Sequence, residues 1–255
     1  MDLSNKIALV TGAGTGIGKG IAVELAKQGA KVAIHYNSSN KGALDTKEQI
    51  DRLGSESIIV QADIQSKNEI ERMVEKVIDN FGSIDILVNN AALQLNIDLL
   101  DYTSSDYDRM MNTNLKGYWQ CIQAVVPYMK KKQSGRIINI SSVHDKRPTD
   151  FDTVYSMTKG AIKMLVRESA IELAKYGITV NMIEPGAVDV GKYKIDEEID
   201  PEISEKKRKE RLKKFPLGRV GLPIDIGHIA SFIASNESEF MNGAAIRMDG
   251  GSMLL

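Results

Sequence analysis

Tyr155 and Lys159 stand four residues apart in Tyr155-Ser156-Met157-Thr158-Lys159, a spacing that places two side chains on one face of a helix. A phenol beside an ammonium is an acid–base pair. The positive charge favours the phenolate, and a group with an ordinary pKa of about 10 must be brought towards neutrality before it exchanges protons at working pH. Thirteen residues before the tyrosine, Ser142 follows the apolar run Arg136–Ile140, where a strand-end hydroxyl can hydrogen-bond a substrate oxygen. A second chemical feature follows the first apolar run, Ile7–Val10: Thr11-Gly12-Ala13-Gly14-Thr15-Gly16-Ile17-Gly18. Glycines at a strand-to-helix junction allow a sharp turn and close approach, and the free N–H groups of the helix start suit a pyrophosphate. The Walker pattern fails at Ala13 and at Gly20, and GxGxxG fails at Ile17; the pattern present is TGxxxGxG through Thr11, Gly12, Gly16 and Gly18.

The elements that must position these groups are legible as an alternation. Strands are predicted at Ile7–Val10, Lys31–His35, Ser57–Gln61, Asp85–Val88, Arg136–Ile140, Thr179–Ile183 and Ala245–Met248. Between them, apolar residues return every three or four positions over Ile17–Gln28, Gly42–Leu53, Lys67–Asn80, Tyr118–Lys131 and Val154–Tyr176. The expected fold is α/β: one doubly wound domain over residues 1–255, with a parallel seven-stranded sheet covered by helices on both faces and ligands at the carboxyl ends of the strands. The charged stretch from Gly191 to Lys214 has few apolar anchors, and a mobile lid is expected over residues 189–214.

Composition excludes several classes of function. Lysine and arginine total 33 against 34 acidic residues, a net charge of −1, so neither nucleic acid nor an anionic membrane is an expected partner. The single cysteine, Cys121, cannot pair within the chain, and no Cys/His cluster offers a metal site. The N-terminus has no signal-peptide pattern and no apolar run reaches bilayer length, so the expected location is cytoplasmic.

Taken in order, the glycine turn, Ala62-Asp63-Ile64, Asn89-Asn90-Ala91-Ala92, Asn114, Ser142, Tyr155 with Lys159, and Pro185-Gly186 resemble the short-chain dehydrogenase/reductase family over essentially the whole chain. The resemblance implies a nicotinamide cofactor, with Gly12, Gly16 and Gly18 at its phosphates and Gly14, Thr15 and Ile17 in the same cofactor-binding turn. It places Asp63 and Ile64 beside the adenine, Asn90 and Ala91 beside the ribose, Lys159 at the nicotinamide ribose, and Pro185, Gly186 and Val188 against the ring. It also implies catalytic roles: Tyr155 as general acid/base, Ser142 orienting the reacting oxygen, Lys159 lowering the tyrosine pKa, and Asn114 supporting a water that relays protons to Lys159. Two positions depart from the family pattern, Ala92 where glycine is usual and Val190 where threonine is usual.

Where an acid would hold the ribose 2′-OH of NAD, the chain reads His35-Tyr36-Asn37-Ser38-Ser39-Asn40-Lys41. It has neither acid nor arginine. Asn37 and Ser38 are the candidate contacts, and the cofactor is expected to be NADP or NAD, with NADP favoured. Substrate walls are expected from Leu93–Asn96, the stretch after Ser142, and the segment beyond Pro185. Ser141-Ser142-Val143-His144 resembles the glucose 1-dehydrogenase branch, which implies a sugar or polyol and makes Ser142, His144 and Tyr155 the substrate contacts. The 3-oxoacyl-carrier-protein reductases share the overall pattern, and for them Lys146, Arg147 or Lys206–Arg211 would be the basic surface for a carrier. A homotetramer is expected from the resemblance, with Tyr118–Lys131, Val154–Tyr176 and Ala245–Leu255 at its interfaces. A non-catalytic dinucleotide sensor is the alternative of another class, disfavoured because both Tyr155 and Lys159 are present.

Overall fold

The computed structural model describes residues 1–146, 152–191, 210 and 213–255. Most of the lid expected over 189–214, as well as Arg147 and nearly all of Lys206–Arg211, therefore lies outside the described residues.

Strands β1 (Ile7–Val10), β2 (Lys31–Tyr36), β3 (Ser57–Gln61), β4 (Ile86–Asn89), β5 (Gly135–Ile140), β6 (Ile178–Pro185) and β7 (Ala245–Met248) form one sheet in the order β3-β2-β1-β4-β5-β6-β7. Every pairing is parallel. The inner strands are nearly continuous apolar runs because both faces are covered, whereas the edge strand β7 is exposed or half-exposed along its length. Alternate residues feed opposite cores. Leu9, Leu87, Ile137, Val180 and Met182 enter the one beneath α3 (Lys67–Phe81), α5 (Gly117–Lys132) and α6 (Thr153–Ala174). Ala8, Val10, Ile86, Val88, Ile138 and Ile183 enter the other, beneath α1 (Gly16–Lys27), α2 (Asn40–Arg52) and α7 (Pro223–Ala234).

The chain starts at β1, runs outward to β3, then returns past β1 to β4 and continues to β7. Neighbouring crossovers on β1 and β4 consequently leave on opposite faces, and a crevice opens at the carboxyl ends where the order reverses. The glycine turn follows β1, and the β4–α4 connection borders the same crevice, α4 being Ser104–Met111. Helix α4 starts with a capping box between Thr103 and Asp106. It runs without a break into a π-helical stretch, Asn112–Lys116, and on into α5. Such wide turns inside helices are frequent at functional sites.

Candidate active site

At the first turn, Gly12 has φ +65°, and a Cβ there would lie 2.9 Å from the Ala91 Cα. A Cβ on Gly18 would lie 2.9 Å from the Gly12 carbonyl carbon and even closer to its oxygen and to the Asn90 amide. Only hydrogens fit between these backbones. Thr15 is the N-cap of α1 but its side chain makes no capping bond, so the first N–H groups of the helix face the crevice with the positive end of its dipole. Donor set and cradle fit a dinucleotide pyrophosphate. Beside the turn is a cavity of about 520 Å³ lined by Gly16, Lys19, Asp189, Val190 and Leu222 among others. Val190, at the position where threonine is usual, packs its methyl group over Gly16.

Three neighbours fix the turn. The Thr11 hydroxyl accepts from the Asn90 N–H at 2.8 Å and the Ala91 N–H at 3.1 Å. The Asn90 amide donates back to the carbonyls of Thr11 at 2.9 Å and Gly12 at 3.2 Å. Asn90 thus braces the glycine turn with its side chain. The third neighbour was not foreseen: His35, buried on β2, accepts from the Gly12 N–H at 3.0 Å through Nδ1, and its Nε2 lies 2.9 Å from the Ala62 carbonyl. That pairing assigns the proton to Nε2, and burial lowers the imidazole pKa. The ring links the turn to the end of β3, where Ile64 is buried and the Asp63 carboxylate accepts from the Gln65 N–H. Asn37 and Ser38 are exposed at the end of β2, before α2 begins at Asn40. Pro185 ends β6, the Gly186 N–H donates to Met248, and Val188 is paired with Gly221.

The acid–base residues meet at the ends of β5 and α6. Ser142 lies beyond β5 in extended conformation, with its hydroxyl accepting from the His144 N–H at 3.3 Å. Tyr155 and Lys159 share a face of α6, and the Lys159 Nζ lies 5.3 Å from the Tyr155 ring centre. Ser141 fixes this helix by donating to the Lys159 carbonyl at 3.1 Å. Lys159 is 1% exposed, and its Nζ donates to the Ile140 carbonyl at 2.9 Å. Burial brings its pKa down to about 7. Burial also pushes Tyr155 up to about 12, against the downward pull of a hydrogen bond with Ser142. A lysine buried this deeply holds its proton less firmly than one in water.

Asn114 sits in the π-helical stretch, fully buried. Its side chain accepts from the Leu93 N–H at 2.7 Å and donates to the Leu93 carbonyl at 2.8 Å and to Thr158 at 3.3 Å. Tyr102 donates to the Leu95 carbonyl at 2.8 Å. Loop 93–96, expected as a substrate wall, is therefore held from both helix α6 and the start of α4. Beneath the opposite wall, Asp145 accepts from Lys163 at 3.2 Å, and the buried Glu184 pairs with Lys146 and, at 3.9 Å, with Lys163. These charges tie the stretch after Ser142 to α6 and to the end of β6.

His144 stands edge-on to Tyr155, with ring centres 5.8 Å apart. On its other side, Nδ1 lies 3.8 Å from the carboxylate of Asp152. Gln94 donates to both oxygens of that carboxylate, at 3.0 and 2.9 Å. Gln94 and Asp152 are 58 residues apart, and their pairing has no local signal in the sequence.

A family model described as enoyl-(acyl carrier protein) reductase matches residues 12–253. The 3-oxoacyl-[acyl-carrier-protein] reductase FabG of Staphylococcus epidermidis is 36% identical over 247 residues, covering 97% of this chain and 98% of the relative. A structure from Sinorhizobium meliloti described as a putative short-chain alcohol dehydrogenase superposes with TM-score 0.90 at 31% identity, covering 99% and 98% of the two chains. The acetoin dehydrogenase YohF of Salmonella typhimurium superposes with TM-score 0.87 at 28% identity, covering 98% and 96%. The chain belongs to the short-chain dehydrogenase/reductase family, NAD(P)-dependent oxidoreductases acting on CH–OH and carbonyl groups.

Proposed function

We propose that the protein is a single-domain dehydrogenase/reductase, of the glucose 1-dehydrogenase type, that interconverts a ketone and an alcohol on a small, neutral, polyhydroxylated substrate. Tyr155, Ser142, Lys159 and Asn114 form its catalytic group. The observation that carries the substrate reading is the polar wall of Gln94, Asp152 and His144 against Tyr155.

A bound nicotinamide supplies or takes the hydride. The remaining work belongs to the chain. With its pKa pushed up to about 12, Tyr155 holds its proton at working pH and gives it to the carbonyl oxygen during reduction. Ser142, hydrogen-bonded to the phenol, holds that oxygen in line. Lys159 stands 5.3 Å from the ring and, when protonated, favours the phenolate left behind; Asn114 keeps the wall at Leu93 in place and supports the water that returns the proton. NADP is favoured over NAD because Asn37 and Ser38 present hydroxyl and amide groups with no carboxylate to repel a 2′-phosphate.

A second reading, reduction of 3-oxoacyl thioesters, is favoured by the names of the relatives at 36% identity. Absorbance of the reduced nicotinamide separates the two. The wild type and Tyr155→Phe are screened against sugars, polyols, simple ketones and 3-oxoacyl thioesters, with each cofactor separately. The proposal expects turnover on hydroxylated substrates, lost in the mutant by a factor of about 10² to 10⁴. Turnover confined to thioesters would select the second reading, and cofactor binding without any turnover would select a sensor.

The assembly proposed is a homotetramer. Trp119, Met157, Met164 and Ile171 lie 45 to 75% exposed on α5 and α6, an apolar face of the kind that is covered by another copy. Phe240, Leu254 and Leu255 are also exposed, near and at the C-terminus. A monomer by light scattering at micromolar concentration would refute it.

A further inference from the structure

His35 is 1% exposed and, like Ala33 two residues before it on β2, faces the core beneath α3 and α5. An imidazole buried there costs stability unless its nitrogens are bonded. Both are: Nδ1 accepts from the Gly12 N–H at 3.0 Å, and Nε2 lies 2.9 Å from the Ala62 carbonyl. The backbone of the same residue adds a third bond, its carbonyl accepting from the Ala13 N–H at 2.8 Å. Two consecutive N–H groups of the glycine turn are therefore held by one residue of the neighbouring strand. The Ala13 carbonyl is held in turn by the Thr46 hydroxyl of α2 at 2.9 Å.

These bonds fix the state of the ring. A backbone N–H can only donate and a backbone carbonyl can only accept, so Nδ1 is bare, Nε2 carries the proton and the imidazole is neutral. A second proton would set two donors against each other at Gly12. Asp63, at the end of β3, favours that proton by its charge, but burial outweighs it and lowers the imidazole pKa. From α3, the Glu69 carboxylate accepts from the Asp63 N–H at 2.8 Å. From α5, Tyr118 and Cys121 are held neutral by burial, which pushes both pKa values up. At the ends of β1 and β4 stand Thr11, Asn89 and Asn90, none of which ionises.

We propose that His35 is a positioning residue for the dinucleotide: its neutral imidazole ties the Gly12 N–H to the Ala62 carbonyl and so keeps the glycine turn ordered before a pyrophosphate binds. It acts through Gly12 and touches no reacting atom. Glycine gives the turn the freedom to reach φ +65°; His35 removes freedom that binding would otherwise have to remove, and affinity rises by that amount. The proposal rests on the glycine turn being the dinucleotide site.

The test compares wild type, His35→Leu, His35→Asn and His35→Gln in binding NADPH and NADH, by fluorescence titration, with thermal melting reporting the fold. The Asn Oδ1 stands as many bonds from the backbone as Nδ1 and can accept from Gly12. The Gln amide reaches as far as Nε2 and can serve only Ala62. His35→Leu is expected to bind both cofactors about tenfold more weakly, the loss of one hydrogen bond. Asparagine restores most of that loss and glutamine does not. Hydrogen exchange at the Gly12 amide is slow in wild type and His35→Asn and faster in the other two. If His35→Leu lost its fold, asparagine against glutamine would carry the same comparison. Nitrogen NMR of the wild-type ring is expected to show the proton on Nε2 and a midpoint below the ordinary imidazole value of 6.5.

Equal affinities in all four proteins would overturn the proposal. So would an asparagine variant no better than leucine, which is what a merely space-filling histidine gives. A proton found on Nδ1, or a ring that titrates at its ordinary midpoint, would overturn it as well. A folded wild type that binds neither NADPH nor NADH would instead refute the dinucleotide reading beneath it.

Discussion

Lys159→Met separates what the lysine costs the fold from what it gives the chemistry. The side chain is fully buried, with its Nζ on the Ile140 carbonyl, and burial takes its pKa from 10.5 to about 7. Between those values the unfolded chain binds a proton that the native protein does not, so stability rises with pH across that window. Below about pH 7 both states hold the proton and the full penalty applies. A fall from 10.5 to about 7, at about 1.4 kcal/mol for each tenfold change in proton affinity, makes the penalty about 5 kcal/mol. At pH 9 only about 1.5 units remain between that pH and 10.5, about 2 kcal/mol.

Methionine is close in length, and the carbonyl it leaves keeps the Tyr118 hydroxyl as a donor at 3.2 Å, so deletion strands no buried acceptor. Lys159→Met is therefore expected to be more stable than wild type by about 3 kcal/mol at pH 7, allowing about 1 to 2 kcal/mol for the lost bond. Most of that gain disappears by pH 9, while turnover is lost at both. Urea unfolding of the two proteins at fixed protein concentration, from pH 6.5 to 9.5, measures the difference, and groups common to both cancel. A difference that stays constant with pH would show that the lysine keeps its ordinary pKa inside the fold and would refute the reasoning.

Three further outcomes follow from the geometry. Gly18→Ala places a methyl group against Gly12 and Asn90; about 1–3 kcal/mol of stability and at least about tenfold in cofactor affinity should be lost, read by melting and fluorescence titration. Asn37→Asp puts a carboxylate at the end of β2, and the ratio of NAD to NADP affinity should rise about tenfold through 2′-phosphate repulsion; equal losses for both cofactors would refute that placement. Trp119→Glu charges the exposed face of α5, and light scattering should show a smaller assembly with secondary structure intact by circular dichroism.

The parts of the fold that the sequence announces are those whose signals are local. Seven apolar runs lie within two residues of the observed strand ends, because a strand covered on both faces has to be apolar along its length. The glycine turn and the Tyr155–Lys159 spacing are also local, and α6 brings the pair together as the spacing requires. Two helices escape the same reasoning. Helix α4 is short and polar, with Met110 alone buried, so it has no periodic stripe to read. In α7, Pro-Ile-Asp-Ile-Gly-His-Ile-Ala-Ser-Phe-Ile-Ala is apolar on nearly every side, which removes the period instead.

What the sequence conceals in the site is of a different kind: it depends on which distant residues the fold makes neighbours. His35 reads as one more strand residue, and only the alignment of β2 between β1 and β3 turns its two nitrogens towards Gly12 and Ala62. Gln94 and Asp152 carry no local signal, and only loop 93–96, set by Asn114 and Tyr102, brings the one to the other. Lys159 reads as a cation because lysines usually are; its depth, and with it the loss of charge near neutrality, comes from Tyr118 and Ile140 around it. The motif residues thus carry the family signature, while the buried contacts around them come from side chains outside the motifs. Substitutions at His35, Gln94 or Asp152 should for that reason alter affinity, specificity or pH dependence while leaving every family signature intact.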